Sequence, residues 1–267
     1  MKFVLKDMGE AAEASAQTRG VLADTLKLFG VLAALVVVVF AAVSWGTDRI
    51  VLRISPETEA RIFGAVGAEF LAEGSVGAGE RWRGLLERLA AHPEVPRLPY
   101  RLGVTDDPPK PNAFALPSGR ILLTMALLEK LGDDEAAVAF VLAHELGHYR
   151  QRDHLRGLGR AAGMAVCLMA LGGSGDVLPV ARVLTEAMHR TYSRAQEEGA
   201  DRFAARLVYE TYGSAEGAEK LFQLLREMED LPAWAYMLST HPDHESRIRV
   251  LRETVEALRT AGAQKGG

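Results

Sequence analysis

His144-Glu145-Leu146-Gly147-His148 is the stretch on which the reading of this chain turns, together with its leader Gly132-Asp133-Asp134-Glu135 and the run Ala136-Ala137-Val138-Ala139-Phe140-Val141-Leu142-Ala143. The leader offers an N-cap with acids in the first turn, and the run continues without a breaker, which predicts a helix through the histidines. That helix is apolar nearly all round, so it is expected to be buried. At about 3.6 residues per turn His144 and His148 fall about 40° apart, and both rings can reach one cation. Glu145 sits beside that face, placed to take a proton from an attacking water but wrongly directed to be a third ligand. Two histidines and a glutamate could share this spacing by accident on an ordinary core helix. On a buried helix the pattern points instead to hydrolysis at zinc.

Two residues compete to complete the ligand set. His154 stands ten residues after His144, but Gln151 occupies the place where a glycine would let the chain turn back. With Tyr149-Arg150-Gln151-Arg152 continuing the helix, His154 is expected about 280° round from His144, away from the metal. The better candidate lies in Ser193-Arg194-Ala195-Gln196-Glu197-Glu198-Gly199-Ala200-Asp201. Glu197 and Asp201 share a helical face, and Ala200, Ala204 and Ala205 leave that helix narrow enough for close approach. One carboxylate on the metal with a second behind it on a ligand histidine is a common zinc arrangement. A charged, solvated face is the competing reading of the same residues.

HExxH followed by SRxxExxAD, in the order found here, resembles the M48 family of membrane-associated zinc metallopeptidases, which are of the gluzincin HExxH…E type. The likeness extends to Asn112-Ala113-Phe114-Ala115-Leu116-Pro117-Ser118-Gly119-Arg120 and to Thr240-His241-Pro242 with Arg247-Ile248, so it covers roughly residues 95 to 251. The resemblance implies His144, His148 and Glu197 as ligands of one Zn2+ per chain and Glu145 as the base. It implies Asp201 as support behind a ligand and His241 as an assisting catalytic group near the scissile carbonyl. Asn112, Ala113, Phe114 and Ala115 would lead into a substrate-side strand, where an exposed edge can bind an extended peptide by strand addition. The implied activity is a zinc metalloendopeptidase cutting misfolded or membrane-associated proteins in quality control. A membrane-tethered chaperone or adaptor that binds unfolded chains without cutting is the alternative.

Composition is compatible with this. The 267 residues carry a net charge of −4 with 25% charged residues, enough for one catalytic domain with a real core and without the basic excess of a nucleic-acid binder. The single Cys167 forbids an internal disulfide, and its apolar neighbours suggest a small core residue.

Leu28 to Trp45 is a nearly unbroken apolar run bounded by Lys27 and by Asp48-Arg49. As a helix of about 27 Å it would just cross a bilayer core. The expected organisation is a leader over 1–27, a transmembrane anchor over 28–46 in contact with the lipid bilayer, and a metallopeptidase domain over 50–267. The alternatives for the anchor are a cleaved signal peptide or a buried helix. Basic residues flank the span almost evenly, and the domain is expected on the extracytoplasmic (periplasmic) side. The rest reads as mainly α with a small β-sheet (α+β). Helices are expected from Pro56, over Arg81 to Ala91, from Ser214, and after an Asp243 cap, with short strands at Tyr100 to Thr105 and Arg120 to Thr124. Gly157 to Leu184 is a second hydrophobic stretch, read as a core helix with a membrane-dipping hairpin or a mobile cover as rivals. Ala261 to Gly267 is expected to fray.

Overall fold

A computed structural model describes residues 8–64, 76–106, 109–170, 192–213 and 244–265. His241 and its Thr240-His241-Pro242 block lie outside the described residues. So do residues 171–184 of the second hydrophobic stretch, the helix expected from Ser214, and the Asp243 cap.

The chain divides into two units, residues 1–46 and 47–267. The first consists, where described, of helix α1, which runs Met8–Val51 and whose last turn belongs to the second unit. Its stretch from Asp24 to Val51 is long and apolar enough to cross a membrane. Leu28, Val31, Val37 and Phe40 are exposed along it.

The second unit is mainly helical with a small sheet, as the sequence predicts. Helix α2 (Pro56–Phe63) starts at Pro56, with the Ser55 Oγ accepting from Thr58 N at 3.2 Å. Helix α3 (Val76–Ala90) buries Trp82, Leu85, Leu86 and Leu89, one face at helical spacing, and starts earlier than Arg81. Strands β1 (Arg101–Thr105), β2 (Ala113–Leu116) and β3 (Arg120–Thr124) form a sheet in the order β1-β3-β2, with β1 parallel and β2 antiparallel to β3. Alternation along the strands sends Ala113, Ala115, Ile121 and Leu123 into the main core and Phe114, Leu116 and Leu122 into a second cluster. β2 is an edge strand of the sheet, and all four of its side chains are buried.

Helix α4 (Met125–Leu131) is capped by Thr124 and closed by Gly132. Helix α5 (Glu135–Gln151) carries HExxH, and its N-cap Asp134 accepts from Ala136 N and Ala137 N at 2.9 and 3.1 Å. Thirteen of its residues, Ala137 through Tyr149, are buried. The expected continuation to His154 is not found. Arg152 takes a left-handed conformation at φ 57°, its N–H turns back to the carbonyls of His148 and Tyr149, and helix α6 (Asp153–Ala170) leaves in a new direction. Cys167 on α6 is half-buried rather than in the core. Helix α7 (Arg194–Tyr212) opens with a Ser193/Gln196 capping box, and helix α8 (His244–Lys265) persists well past Ala261.

Candidate metal centre

The site is made where α5 crosses α7. A β-carbon on Gly147 would lie 2.9 Å from Ala200 Cα, so the two helices touch backbone to backbone at the second glycine of HELGH. This approach brings the tip of Glu197 to the two histidines. The ligand atoms of His144, His148 and Glu197 all lie within 4.8 Å of one another, and the three residues are buried.

Each imidazole is oriented by its own carboxylate. His144 Nδ1 donates to Asp201 Oδ1 at 2.9 Å and His148 Nδ1 donates to Asp153 Oδ2 at 3.0 Å, since an ionised carboxylate can only accept. With both rings neutral, both Nε2 atoms carry lone pairs, and they face each other at 3.1 Å. Two lone pairs so close repel, so a positive charge, either a proton or a metal ion, belongs between them. From the Glu197 carboxylate, Oε2 is 3.4 Å from His144 Nε2 and Oε1 is 3.8 Å from His148 Nε2. The edge of a tetrahedron of zinc ligands at about 2.0–2.1 Å is about 3.3 Å, so the donors are spaced to fit zinc.

Charge points the same way. Glu145, Asp153, Glu197 and Asp201 are four buried carboxylates, whereas Arg247 is the fully buried guanidinium among them. Such a surplus of buried negative charge is stabilised by a divalent cation. Burial alone would lower the His144 pKa, but hydrogen bonds to Asp201 and Glu197 raise it to about 9, so the field favours positive charge at that ring. Burial would raise the Asp201 pKa, but it is held below the usual carboxylate range by Arg247 and His144. Arg247 donates from Nε and Nη2 to the two Asp201 oxygens, both at 2.6 Å, and its Nη1 stands 3.5 Å from Glu197 Oε2.

Glu145 neighbours a ligand in sequence but is not part of the ligand cluster. One of its oxygens, Oε2, is buried with no hydrogen-bond partner among the described residues. A buried, uncommitted carboxylate oxygen beside two convergent imidazoles is what a proton acceptor requires. Tyr192 stacks on the His148 ring at 3.9 Å between centroids and closes one side. Tyr149 ties the site to the sheet, its hydroxyl donating toward Leu116 O and toward Arg120 O at 2.6 Å.

The structure thus brings together His144, Glu145, His148, Glu197 and Asp201. His154 lies elsewhere, its Nε2 bonded to Glu59 Oε1 at 2.9 Å. Asn112 to Ala115 lie on the hairpin that Tyr149 clamps. Asn112 is itself engaged, its N–H donating to Thr124 Oγ1 at 2.8 Å and its Oδ1 accepting from Ala113 N at 2.9 Å. Sequence reasoning missed Asp153 as the partner of His148. It also missed Gln196, whose Nε2 donates to Asp153 Oδ1 at 2.6 Å, and the Arg247 clamp. The signal for Asp153 was an acid five residues past a ligand, readable only if the helix ends between them.

A buried helix presenting two carboxylate-held histidines to a glutamate on a second helix, beside a small sheet, defines a gluzincin-type metallopeptidase domain. Residues 80–255 match the sequence model of Peptidase family M48, and the chain belongs to that family. It is 30% identical over 174 residues to the mitochondrial metalloendopeptidase OMA1 of Schizosaccharomyces pombe, covering 63% of this chain and 50% of that protein. It is 32% identical over 197 residues to a Protease HtpX homolog of Thermococcus kodakarensis, covering 55% and 65% of the two chains. To a Protease HtpX homolog of Acidiphilium cryptum it is 30% identical over 215 residues, covering 64% and 72%. The match therefore spans less than two thirds of the first two relatives' length.

Proposed function

We propose that this chain is a membrane-anchored zinc metalloendopeptidase acting on misfolded or membrane-associated proteins, and that residues 28–46 hold its catalytic domain, residues 50–267, at the bilayer on the extracytoplasmic side. The observation that carries the reading is the convergence of the two Nε2 atoms, 3.1 Å apart, and the Glu197 carboxylate within 4.8 Å, with each Nδ1 fixed by a carboxylate.

His144, His148 and Glu197 would hold the zinc ion. When bound it supplies Lewis acidity that activates water and polarises a carbonyl. Glu145 Oε2 takes the proton of the attacking water and returns it to the leaving amine nitrogen, a step typically worth about a hundred to ten thousand fold. Asp201 and Asp153 keep both rings in the tautomer that leaves Nε2 unprotonated, and Arg247 keeps Asp201 ionised. Ala113 to Ala115 offer backbone rather than side chains, so an extended substrate added beside β2 is held with little sequence preference. His241 is assigned to the scissile carbonyl on family resemblance alone.

The test is elemental analysis of the purified chain beside Glu197→Ala and Glu145→Gln, with cleavage of unfolded casein as the assay. About one zinc per wild-type chain, clear loss in Glu197→Ala, and retained zinc without cleavage in Glu145→Gln are expected. Zinc surviving in Glu197→Ala would overturn the ligand set. Equal turnover by Glu145→Gln would overturn the base. Zinc without any cleavage by wild type would favour a tethered chaperone.

A further inference from the structure

Among the described residues, two that are not glycine have positive φ, Ser118 at 69° and Arg152 at 57°. Such conformations cost an L-residue energy and persist only where surrounding contacts enforce them. Both are engaged by one buried carboxylate. Glu59 Oε1 accepts from Ser118 N at 2.8 Å and from His154 Nε2 at 2.9 Å, and its Oε2 faces Arg152 Nη1 at 3.4 Å. The Ser118 hydroxyl also donates to the Glu59 carbonyl at 3.2 Å. Glu59 is 1% exposed and takes no part in the mechanism above.

The two turns do different work. The Arg152 turn ends the HExxH helix and places Asp153 where it holds His148 Nδ1 at 3.0 Å. The Ser118 turn closes the β2–β3 hairpin, whose β2 backbone is the proposed substrate edge. Helix α2, which carries Glu59, is bound to the hairpin a second time, because Arg120 donates to Phe63 O and Gly64 O at 3.3 and 2.6 Å.

We propose that Glu59 is a positioning residue that enforces both turns at once, setting the Asp153–His148 support of the metal and the register of the substrate strand from a helix at the N-terminal end of the catalytic unit. The substrate arm of this assignment rests on the peptidase reading, and the metal arm rests only on zinc binding. Glutamine at 59 keeps the size but not the charge that three donors share. Glycine adopts positive φ freely, so glycine at either turn removes the need for enforcement there.

The experiment uses the full chain, with zinc affinity read by competition against a chelating indicator and kcat and KM read on a casein-derived peptide. Glu59→Gln is expected to weaken zinc by about 10-fold or more, the usual consequence of disturbing support behind a ligand, and to raise KM. Adding Arg152→Gly should restore zinc affinity while leaving KM high. Adding Ser118→Gly should restore KM while leaving zinc weak. Wild-type zinc affinity and KM in folded Glu59→Gln overturn the proposal, and so do losses that neither glycine relieves, which mark a general stability role. Should Glu59→Gln fail to fold by circular dichroism, Glu59→Asp enters the same scheme, since a shorter carboxylate withdraws from both turns. If wild type cuts no peptide, the peptidase reading fails and the zinc arm alone decides the assignment.

Discussion

Glu59 also gives the site's surroundings a definite acid response. Burial by itself would raise its pKa, but the hydrogen bond and charge of His154, the Ser118 N–H and the Arg152 charge outweigh it, and the pKa lies below the ordinary 4.5. A lowered carboxylate contributes stability above its unfolded pKa and loses it as pH falls through the folded value. The melting temperature of metal-free wild type should therefore exceed that of Glu59→Gln by a constant margin from about pH 7 to 5. Below pH 4.5 that margin should close, because only wild type takes up the proton. A margin that stays constant to pH 3 would mean that Glu59 is not ionised in the fold. At this scale the sequence disclosed what spacing encodes. Helical phase puts His144 with His148 on one face and Glu197 with Asp201 on another, with Glu145 beside the first, and the family resemblance implied that the two faces form one site. Asp153 could not be named, because one left-handed arginine re-aims the chain before it, and arginine carries no mark of that conformation. The identity of Arg247 was visible, but not that it would be buried 46 residues from its carboxylate partner.

Elements meet here through small residues, and two glycines allow the crossing of α5 and α7 to be tested. Alanine is favoured over glycine in a helix interior by about 1 kcal/mol, whereas overpacking a tight contact costs about 1–3 kcal/mol. At Gly147 the added methyl would meet Ala200 Cα at 2.9 Å and its carbonyl oxygen at 3.1 Å, backbone that moves only if the helices separate. At Gly199 it would meet the end of the Gln151 side chain at 2.5 Å, which can swing aside. Gly147→Ala should thus lower the melting temperature by several degrees and weaken zinc, because the separation carries Glu197 from the histidines. Gly199→Ala should leave both within about 1 kcal/mol of wild type. Equal behaviour of the two variants would mean that the crossing is not tight at Gly147. The narrow alanine face of α7 was legible from composition, as were the α5 cap and the amphipathic face of α3. The burial of β2 was not, since a four-residue apolar strand reads the same whether its side chains are covered or open.

For the molecule as a whole, the balance to be tested is whether α1 holds the chain to a bilayer. Its central run offers Leu28, Phe29, Val31, Leu32, Leu35, Val36, Val37, Val38, Val39, Phe40 and Val43. At about −0.3 to −0.6 kcal/mol each near the centre of a span, these supply roughly −5 kcal/mol toward insertion. An arginine at the centre costs about 2.5–3.5 kcal/mol, so Val36→Arg with Val37→Arg adds roughly 6 kcal/mol and reverses the sign. The wild-type chain should float with phosphatidylcholine vesicles on a density gradient and resist extraction at alkaline pH, while the double variant should remain at the bottom of the gradient. Its zinc content should be unchanged, because the substituted residues belong to the unit of residues 1–46 and the ligands to the other. Flotation of the double variant would place the membrane contact elsewhere in the chain. Loss of zinc along with flotation would mean that the two units are not independent. The apolar span was legible because its length and composition, enough to cross a bilayer, are ones that few soluble helices show. The continuation of α1 from Met8 was not, since the polar residues before the span satisfy a helix as well as they satisfy a loop, as the Lys27–Asp24 pair at 2.9 Å illustrates.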